Sequence, residues 1–296
     1  MISLWMLFTI LAAAGQTARN AMQRELTAAL GTVGATHVRF LFGFPFALVF
    51  LAGVLLATGL PVPKPGLIFL PWISLGAGAQ IVATATMLMA MNDRSFVVTI
   101  AYIKTEAIQA ALFGLLFLGD RVTLPILAAI VVATAGVVLM AFKPGAKVQG
   151  GLKPTLIGLF SGAMFALSAV GYRGASLSLE LPSFVLSATF TLACGLVLQA
   201  ALLTLYLALR DRNVLAAIAR AWRPSLFAGL MGATASEFWF LAFTITTVAN
   251  VRTLALVEVL FAQAISYFVF KQATTPREAF GMSLIVAGVA LLIWVQ

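Results

Sequence analysis

Long apolar runs follow one another from end to end of this chain and constrain its fold more than any other feature. They lie near 3–29, 34–58, 67–91, 95–118, 123–142, 153–175, 183–209, 224–246, 250–270 and 277–296. Short polar or Gly/Pro breaks separate them: LPVPKPG (60–66), NDRS (92–95), GDRVT (119–123), KPGAKVQGGLK (143–153) and RDRNVLAAIARAWRP (210–224). About 20 residues carry a helix across the hydrocarbon core of a bilayer, and a helix satisfies its own backbone where lipid offers no partner. The alternating segments of a β-barrel are absent. Only 9% of the residues are charged and 62% are hydrophobic, whereas about 25% are charged in a soluble domain. These patterns predict an all-α membrane protein with ten transmembrane helices.

Few chemistries fit the remaining composition. The single cysteine, Cys194, permits no intrachain disulfide framework, and the lone His37 supports no zinc cluster. There is no GxxxxGK[ST] loop for ATP and no HExxH. The carboxylates lack metal-ligand spacing, and no nucleophilic triad stands out. We therefore expect neither an enzyme nor a bound cofactor or metal. The stretch MISLWMLFTILAAAG resembles a signal sequence but has no basic segment before it, so it reads as a retained first span. The pI near 10.3 reflects loops facing the cytoplasm rather than nucleic acid. The expected partners are the lipid bilayer and a small-molecule substrate, with the chain acting as monomer or homodimer.

A repeat runs through the sequence. Residues 101–140 align without gaps on 253–292, an offset of 152, placing Glu106 on Glu258, Ala110 on Ala262, Thr123 on Thr275 and Gly136-Val137 on Gly288-Val289. Seven of the forty positions are identical, and the span-loop-span pattern matches as well. The chain thus divides into residues 1–142 and 153–296, five spans each. An odd number of spans inverts the second half relative to the first, an architecture many secondary transporters share.

Eight charged side chains fall inside the spans: Arg19, Arg39, Lys104, Arg173, Arg252, Glu106, Glu237 and Glu258. Each costs about 2.5–3.5 kcal/mol at a helix centre, so each needs a partner, a wet cavity or a route to the interface. Arg173 and Arg252 lie close enough to span ends to snorkel. Lys104 and Glu106 are two residues apart and point about 200° from one another on a helix, so they are not expected to pair. Glu106 continues a polar stripe of Thr99, Tyr102 and Gln109, whereas Lys104 is placed to meet an acid on a neighbouring helix or to reach the cavity edge. Glu106 and Glu258 are open to two readings. They can form structural ion pairs or hydrogen bonds that hold helices together, or they can bind a substrate ammonium or a proton near the repeat's pseudo-twofold axis.

Further stripes mark other helices. Gln16, Arg19 or Asn20, and Gln23 share one face of the first span; Gln80, Thr84 and Met87 follow on the third; Glu237 adjoins Trp239 and Phe240 on the eighth. The aromatic residues also suit ordinary packing or lipid contact. The five positive and three negative charges within spans sum to +2, which suits a zwitterion such as an amino acid, or an organic anion.

The motif Leu118-Gly119-Asp120-Arg121-Val122-Thr123, followed by Gly136-Val137, is echoed by Phe270-Lys271-Gln272-Ala273-Thr274-Thr275, then Gly281 and Gly288-Val289. On these residues the chain resembles the drug/metabolite transporter superfamily, in its ten-helix form with two EamA-type repeats. Asp120 and Gln272 stand where the family usually has Glu, and Ala107 and Val259 where it often has Pro. The resemblance implies a central cavity lined by spans one, three, four, six, eight and nine. It brings Arg19, Gln80, Glu106, Glu237 and Glu258 to or near that cavity. The full set of substrate-binding candidates is Arg19, Gln80, Tyr102, Lys104, Glu106, Glu237, Trp239, Arg252 and Glu258, with Glu106 and Glu258 as proton-coupling candidates.

The leading expectation is a secondary transporter of a small polar metabolite, working by alternating access as a proton-coupled exporter or an exchanger in a bacterial inner membrane. A multidrug exporter of lipophilic cations is the alternative; an intramembrane enzyme or a non-transporting membrane protein is more distant. Eleven Lys and Arg residues, Arg24, Arg94, Lys143, Lys147, Lys153, Arg210, Arg212, Arg220, Arg223, Lys271 and Arg277, fall on one side of the ten spans, against Lys64 and Arg121 on the other. The positive-inside rule then puts both termini outside, whereas the resemblance implies cytoplasmic termini.

Overall fold

A computed structural model describes residues 4–93, 99, 102–141, 153–268, 271 and 274–295. Every regular element among them is helical. The expected breaks at 92–95 and 143–153 lie largely outside the described residues, as do Phe270, Gln272, Ala273 and the side chains of Asn20 and Gln23.

The chain opens with α1 (Leu4–Leu41), which is two helices joined at Gly31. Gly31 has φ 67°, a left-handed conformation open to glycine without a Cβ penalty. The expected boundary near residues 29–34 is therefore present, although the helix axis turns there without a loop. The second span, expected to run unbroken over 34–58, is interrupted by a turn at Phe42-Gly43 before α2 (Phe44–Thr58). Pro45 stands in the first turn of α2. It has no N–H to continue the preceding helix, and its ring crowds the carbonyl four residues back.

There follow α3 (Phe69–Asp93), α4 (Glu106–Phe113), α5 (Leu124–Ala141), α6 (Lys153–Leu177) and α7 (Phe184–Arg210). Then come α8 (Arg212–Arg220), α9 (Trp222–Ile245), α10 (Val248–Leu254), α11 (Glu258–Phe268) and α12 (Pro276–Trp294). A π turn, Gly114–Leu118, extends α4, and a 3-10 turn, Ala255–Val257, joins α10 to α11. The stretch 210–224, expected as a connection only, contains α8. Val214, Leu215, Ala217 and Ile218 press this helix onto Leu26, Leu30 and Val38 of α1, and Arg212 and Arg220 are exposed. Its short amphipathic pattern falls below the length of a span.

Six helical stretches have the length and composition to cross a membrane: Leu26–Thr58, Phe69–Met91, Thr155–Leu177, Phe184–Arg210, Trp222–Ile245 and Pro276–Trp294. Leu4–Thr17, Glu106–Leu118 and Leu124–Met140 are shorter and apolar. The distribution of side chains is that of a multi-pass membrane protein. Leu48, Val49, Leu56, Leu115, Leu116 and Phe117 point outward, whereas Arg19, Arg39, Lys104, Arg252, Glu106 and Glu258 are buried. In water this pattern would expose a large apolar surface; in lipid it puts the costly groups inside.

Small residues hold the bundle together. The most extensive packing joins α3 to α6, α1 to α9 and α5 to α12, with α2 against α7. A Cβ on Gly171 would lie 2.7 Å from the Gly76 nitrogen, and one on Gly15 would lie 3.1 Å from Ala235. Between α5 and α12, a Cβ on Gly136 would come within 2.5 Å of the Gly281 carbonyl oxygen, and one on Gly288 within 2.7 Å of the Ala129 carbonyl oxygen. Such contacts supply dispersion where lipid provides no hydrophobic drive between helices.

Gly136→Ala should therefore force α5 and α12 apart and destabilise the protein by about 1–3 kcal/mol. Gly78→Ala, whose new methyl would meet nothing within 4 Å, should leave the thermal midpoint in detergent unchanged or raised. Equal effects of the two substitutions would show that the glycine contact does not hold the helices together.

Candidate functional site

The site is built where two helices tighten. Before Glu106, Lys104 and Thr105 form a turn in which the Thr105 amide bonds the Tyr102 carbonyl and the Ile108 amide bonds the Thr105 carbonyl, at 3.3 and 3.1 Å. These are i to i−3 bonds, the 3-10 spacing. Thr105 Oγ1 also donates to the Tyr102 carbonyl at 2.7 Å, a local bond that competes with the regular ladder. Before Glu258, Ala255–Val257 is a 3-10 turn. α4 thus begins on Glu106 and α11 on Glu258, the two positions matched at the offset of 152. A mid-helix 3-10 segment often marks a functional hinge.

Each glutamate takes its base from the other half of the chain. Lys104 Nζ lies 2.6 Å from Glu258 Oε2, and Arg252 Nη1 lies 3.4 Å from Glu106 Oε1. Lys104 and Glu106 do not pair, as their angular separation predicts. Arg252 does not snorkel: it is 6% exposed and lies over the rings of Trp239 and Phe243, at 4.8 and 5.2 Å from their centroids. Cation–π contact of this kind stabilises a desolvated guanidinium.

Two small voids adjoin these pairs. Gln16, Arg19, Lys104, Glu106 and Arg252 line the first, with Met87, Ile103 and Phe165. The second has Arg39, Gln80, Tyr172, Trp239 and Phe240 on its walls. Gln16, Phe165 and Arg252 border both, so the voids are neighbours divided by those side chains. Each has room for about one water. Arg19 is wholly buried, within electrostatic reach of Arg39, Arg252 and Glu258. Gln80 Oε1 accepts from the Tyr172 hydroxyl and from Gln199 Nε2, at 3.1 and 2.9 Å. Trp239 Nε1 donates to Gln16 Oε1 at 3.0 Å.

Of the nine substrate-binding candidates, Arg19, Gln80, Lys104, Glu106, Trp239 and Arg252 line the two voids, and Glu258 joins them through Lys104. Two stand apart. Tyr102 is buried with Gly158 of α6 packed beside it, and Glu237 accepts a hydrogen bond from Thr189 of α7 at 2.5 Å; neither is among the residues lining those voids. The sequence reading did not select Arg39, Phe165, Tyr172 or Ser236. Arg39 carried a usable signal: a cation inside an apolar run opposite a polar stripe on α3, where Thr84 Oγ1 accepts from Arg39 Nη1 at 3.2 Å.

The Leu-Gly-Asp motif acts at one end of the bundle. Gly119, at φ 68°, ends the π turn, and the Asp120 amide donates back to the Gly114 carbonyl. Asp120 Oδ1 then meets Arg173 Nη2 at 3.3 Å. Arg173 Nη1 donates in addition to the carbonyls of Phe243 and Thr246. Arg173 therefore ties the ends of α4, α6 and α9 together.

No family model and no curated protein matches this chain. A solved crystal structure, described only as that of a protein, is similar over 100% of this chain and 97% of its own, with a TM-score of 0.75 and 18% identity. That likeness shows a shared fold.

The pair Lys104–Glu258 yields a stability test. Lys104→Met alone leaves a buried carboxylate without its base and should destabilise the protein by about 3–5 kcal/mol. Adding Glu258→Gln to Lys104→Met should recover much of that loss in equilibrium unfolding. Additive losses would mean that the two side chains do not interact.

Proposed function

We propose that the chain is a secondary transporter of a small polar solute, built from ten spans in two five-helix halves of opposite orientation, and that the solute binds among Arg19, Arg252, Lys104, Glu106 and Glu258. The observation that carries this reading is the crossed arrangement of ion pairs. Each buried carboxylate of one half is neutralised by a base of the other, next to a void, at the point where both helices tighten. An arriving acid group can take a base from its glutamate, and an arriving ammonium or proton can take a glutamate from its base. Either exchange weakens the contact between halves at the moment of binding, which is what alternating access requires of a central site.

Opposite orientation of the halves is supported by how contacts map onto each other. Adding 152 to 129 and 136 gives 281 and 288, so the contact of Gly136 with Gly281 corresponds to that of Gly288 with Ala129. The packing of α3 on α6 corresponds likewise to that of α9 on α1. Arg173 gathers connections that ten alternating spans assign to one side. Val214 beside Gly34, and Arg277 Nε donating to the Leu139 carbonyl at 2.9 Å, gather connections assigned to the other. The second side carries the exposed Arg210, Arg212, Arg220 and Arg223; it is the cytoplasmic face under the positive-inside rule, and both termini are outside. Bacterial inner membrane is the matching location.

Two experiments test this. In proteoliposomes, a counterflow screen of amino acids, organic anions, nucleosides and amines should find a transported solute. Glu106→Gln and Glu258→Gln should each lower its exchange by about tenfold or more, the scale of one charged hydrogen bond. Full transport in both variants would remove the assignment of these carboxylates. For orientation, a cysteine added after Gln296 in a Cys194→Ser background should react with an impermeant maleimide on intact cells. Reaction only after permeabilisation would reverse the topology.

A further inference from the structure

Lys104, Arg173 and Arg252 each have a carboxylate within salt-bridge distance. Arg39 has none among the described residues. Its Nη1 donates to the Thr84 hydroxyl, its Nε has no hydrogen-bond partner among the described residues, and the residue is 3% exposed. A buried guanidinium facing a neutral hydroxyl is poorly compensated, because desolvation of a charge costs several kcal/mol after relaxation. Arg39 shares the walls of one void with Arg252, and the two cations are close enough to repel. Aromatic rings form one face of that wall, and Gln16, Gln80, Ser168, Ala169 and Ser236 complete it. Tyr172 and Phe240 are in contact with centroids 4.4 Å apart, and Trp239 stacks on Phe243 at 6.0 Å.

A second cation without its own acid, beside one already held by a glutamate, gives the void a surplus of positive charge; the rings give it an apolar face. From Arg39 and Arg252 on one void with Trp239, Phe240 and Tyr172, we infer that the solute is an organic anion with a flat apolar body. Its acid group lies between the two guanidinium groups and its body against the rings. A carboxylate there offers two oxygens to two forks of donors, the geometry arginine recognises best. A cationic solute would meet like charge on the same walls. This inference rests on the transport reading and narrows its substrate class. In the structure described here the void holds about one water, so binding requires α1, α6 and α9 to separate.

The test uses the full-length protein in detergent and four probes: phenylacetate (ring and anion), phenethylamine (ring and cation) and phenylalanine (ring and zwitterion), which are similar in size, and the smaller acetate (anion without ring). Phenylacetate should raise the thermal midpoint at concentrations about tenfold or more below those of the other three. Arg39→Gln should abolish that difference, and Arg39→Lys should keep part of it. If Arg39→Gln does not fold, the order of the four probes on the unmodified protein decides. Equal or better stabilisation by phenethylamine or phenylalanine, no stabilisation by phenylacetate, or an unchanged response in folded Arg39→Gln would each overturn the inference. Counterflow with the same probes separates the two readings. Binding of phenylacetate without transport leaves the anion site standing and removes the transporter, whereas transport of an amine without phenylacetate binding does the reverse.

Discussion

Everything at the centre of this bundle depends on the crossed pairing of Lys104 with Glu258 and of Arg252 with Glu106. Four charges are taken out of water together, and each is tolerable only because its counterion arrives from the other half of the chain. Folding either half by itself would leave two charges, one from each pair, unmatched in an apolar surrounding. The interaction therefore does two things at once: it specifies how the halves register, and it holds the helices at their tightened turns. A contact that is strong only while both partners stay dry and paired is also one that a competing charge can undo.

The periphery is built on the opposite logic. α5 and α12 close through glycine-to-carbonyl contacts, and α3 closes on α6 through Gly76 and Gly171. These contacts are made of shape alone and respond to no ligand or proton. The bundle thus divides between contacts made of shape and a centre made of paired charges. The tightened turns before Glu106 and Glu258 fit that division, because 3-10 hydrogen bonds are weaker than those of the α-helix around them. Arg173 adds a third kind of contact at one end, where a single guanidinium bridges Asp120 and two backbone carbonyls.

Much of this was legible in the residues, and the legible part has a common cause. A charge inside an apolar run is expensive, so it stands out; Lys104, Glu106, Arg252 and Glu258 were all selected on that ground. Helical geometry also foretold that Lys104 would turn away from Glu106, and left it either an acid on a neighbouring helix or the cavity edge. Which acid was not readable, because the pairing is non-local and Lys104 has Leu256, not a second lysine, at its repeat-equivalent position. Arg39 stands out as a charge in the same way, but nothing along the chain says that α1 presents it to the same void as Arg252. Glu237 shows the converse: a carboxylate inside a span, next to aromatic residues, whose hydrogen bond goes to Thr189. The interruption at Phe42-Gly43 was hidden by the apolar character of its surroundings, which fixes how much chain is buried and not where its axis turns; α8 was hidden because its short amphipathic pattern lies inside an arginine-rich break between two spans.

If the chain is the transporter proposed above, the charge of its solute decides the sign of any coupling to protons. A proton on Glu106 neutralises it and releases Arg252. An anion bound to Arg252 then gains from that proton, and by linkage the proton gains from the anion. The two would move together, or one anion would exchange for another at an unprotonated site. A solute ammonium would instead contest Glu106 with the proton, and the two would move in opposite directions. The expectation of proton antiport thus belongs to an amine-bearing solute. An anion seated between Arg39 and Arg252 would instead make the same pair of glutamates a co-transport or exchange device without any change of residue, so under that proposal the charge preference of the void and the direction of coupled proton movement are one question.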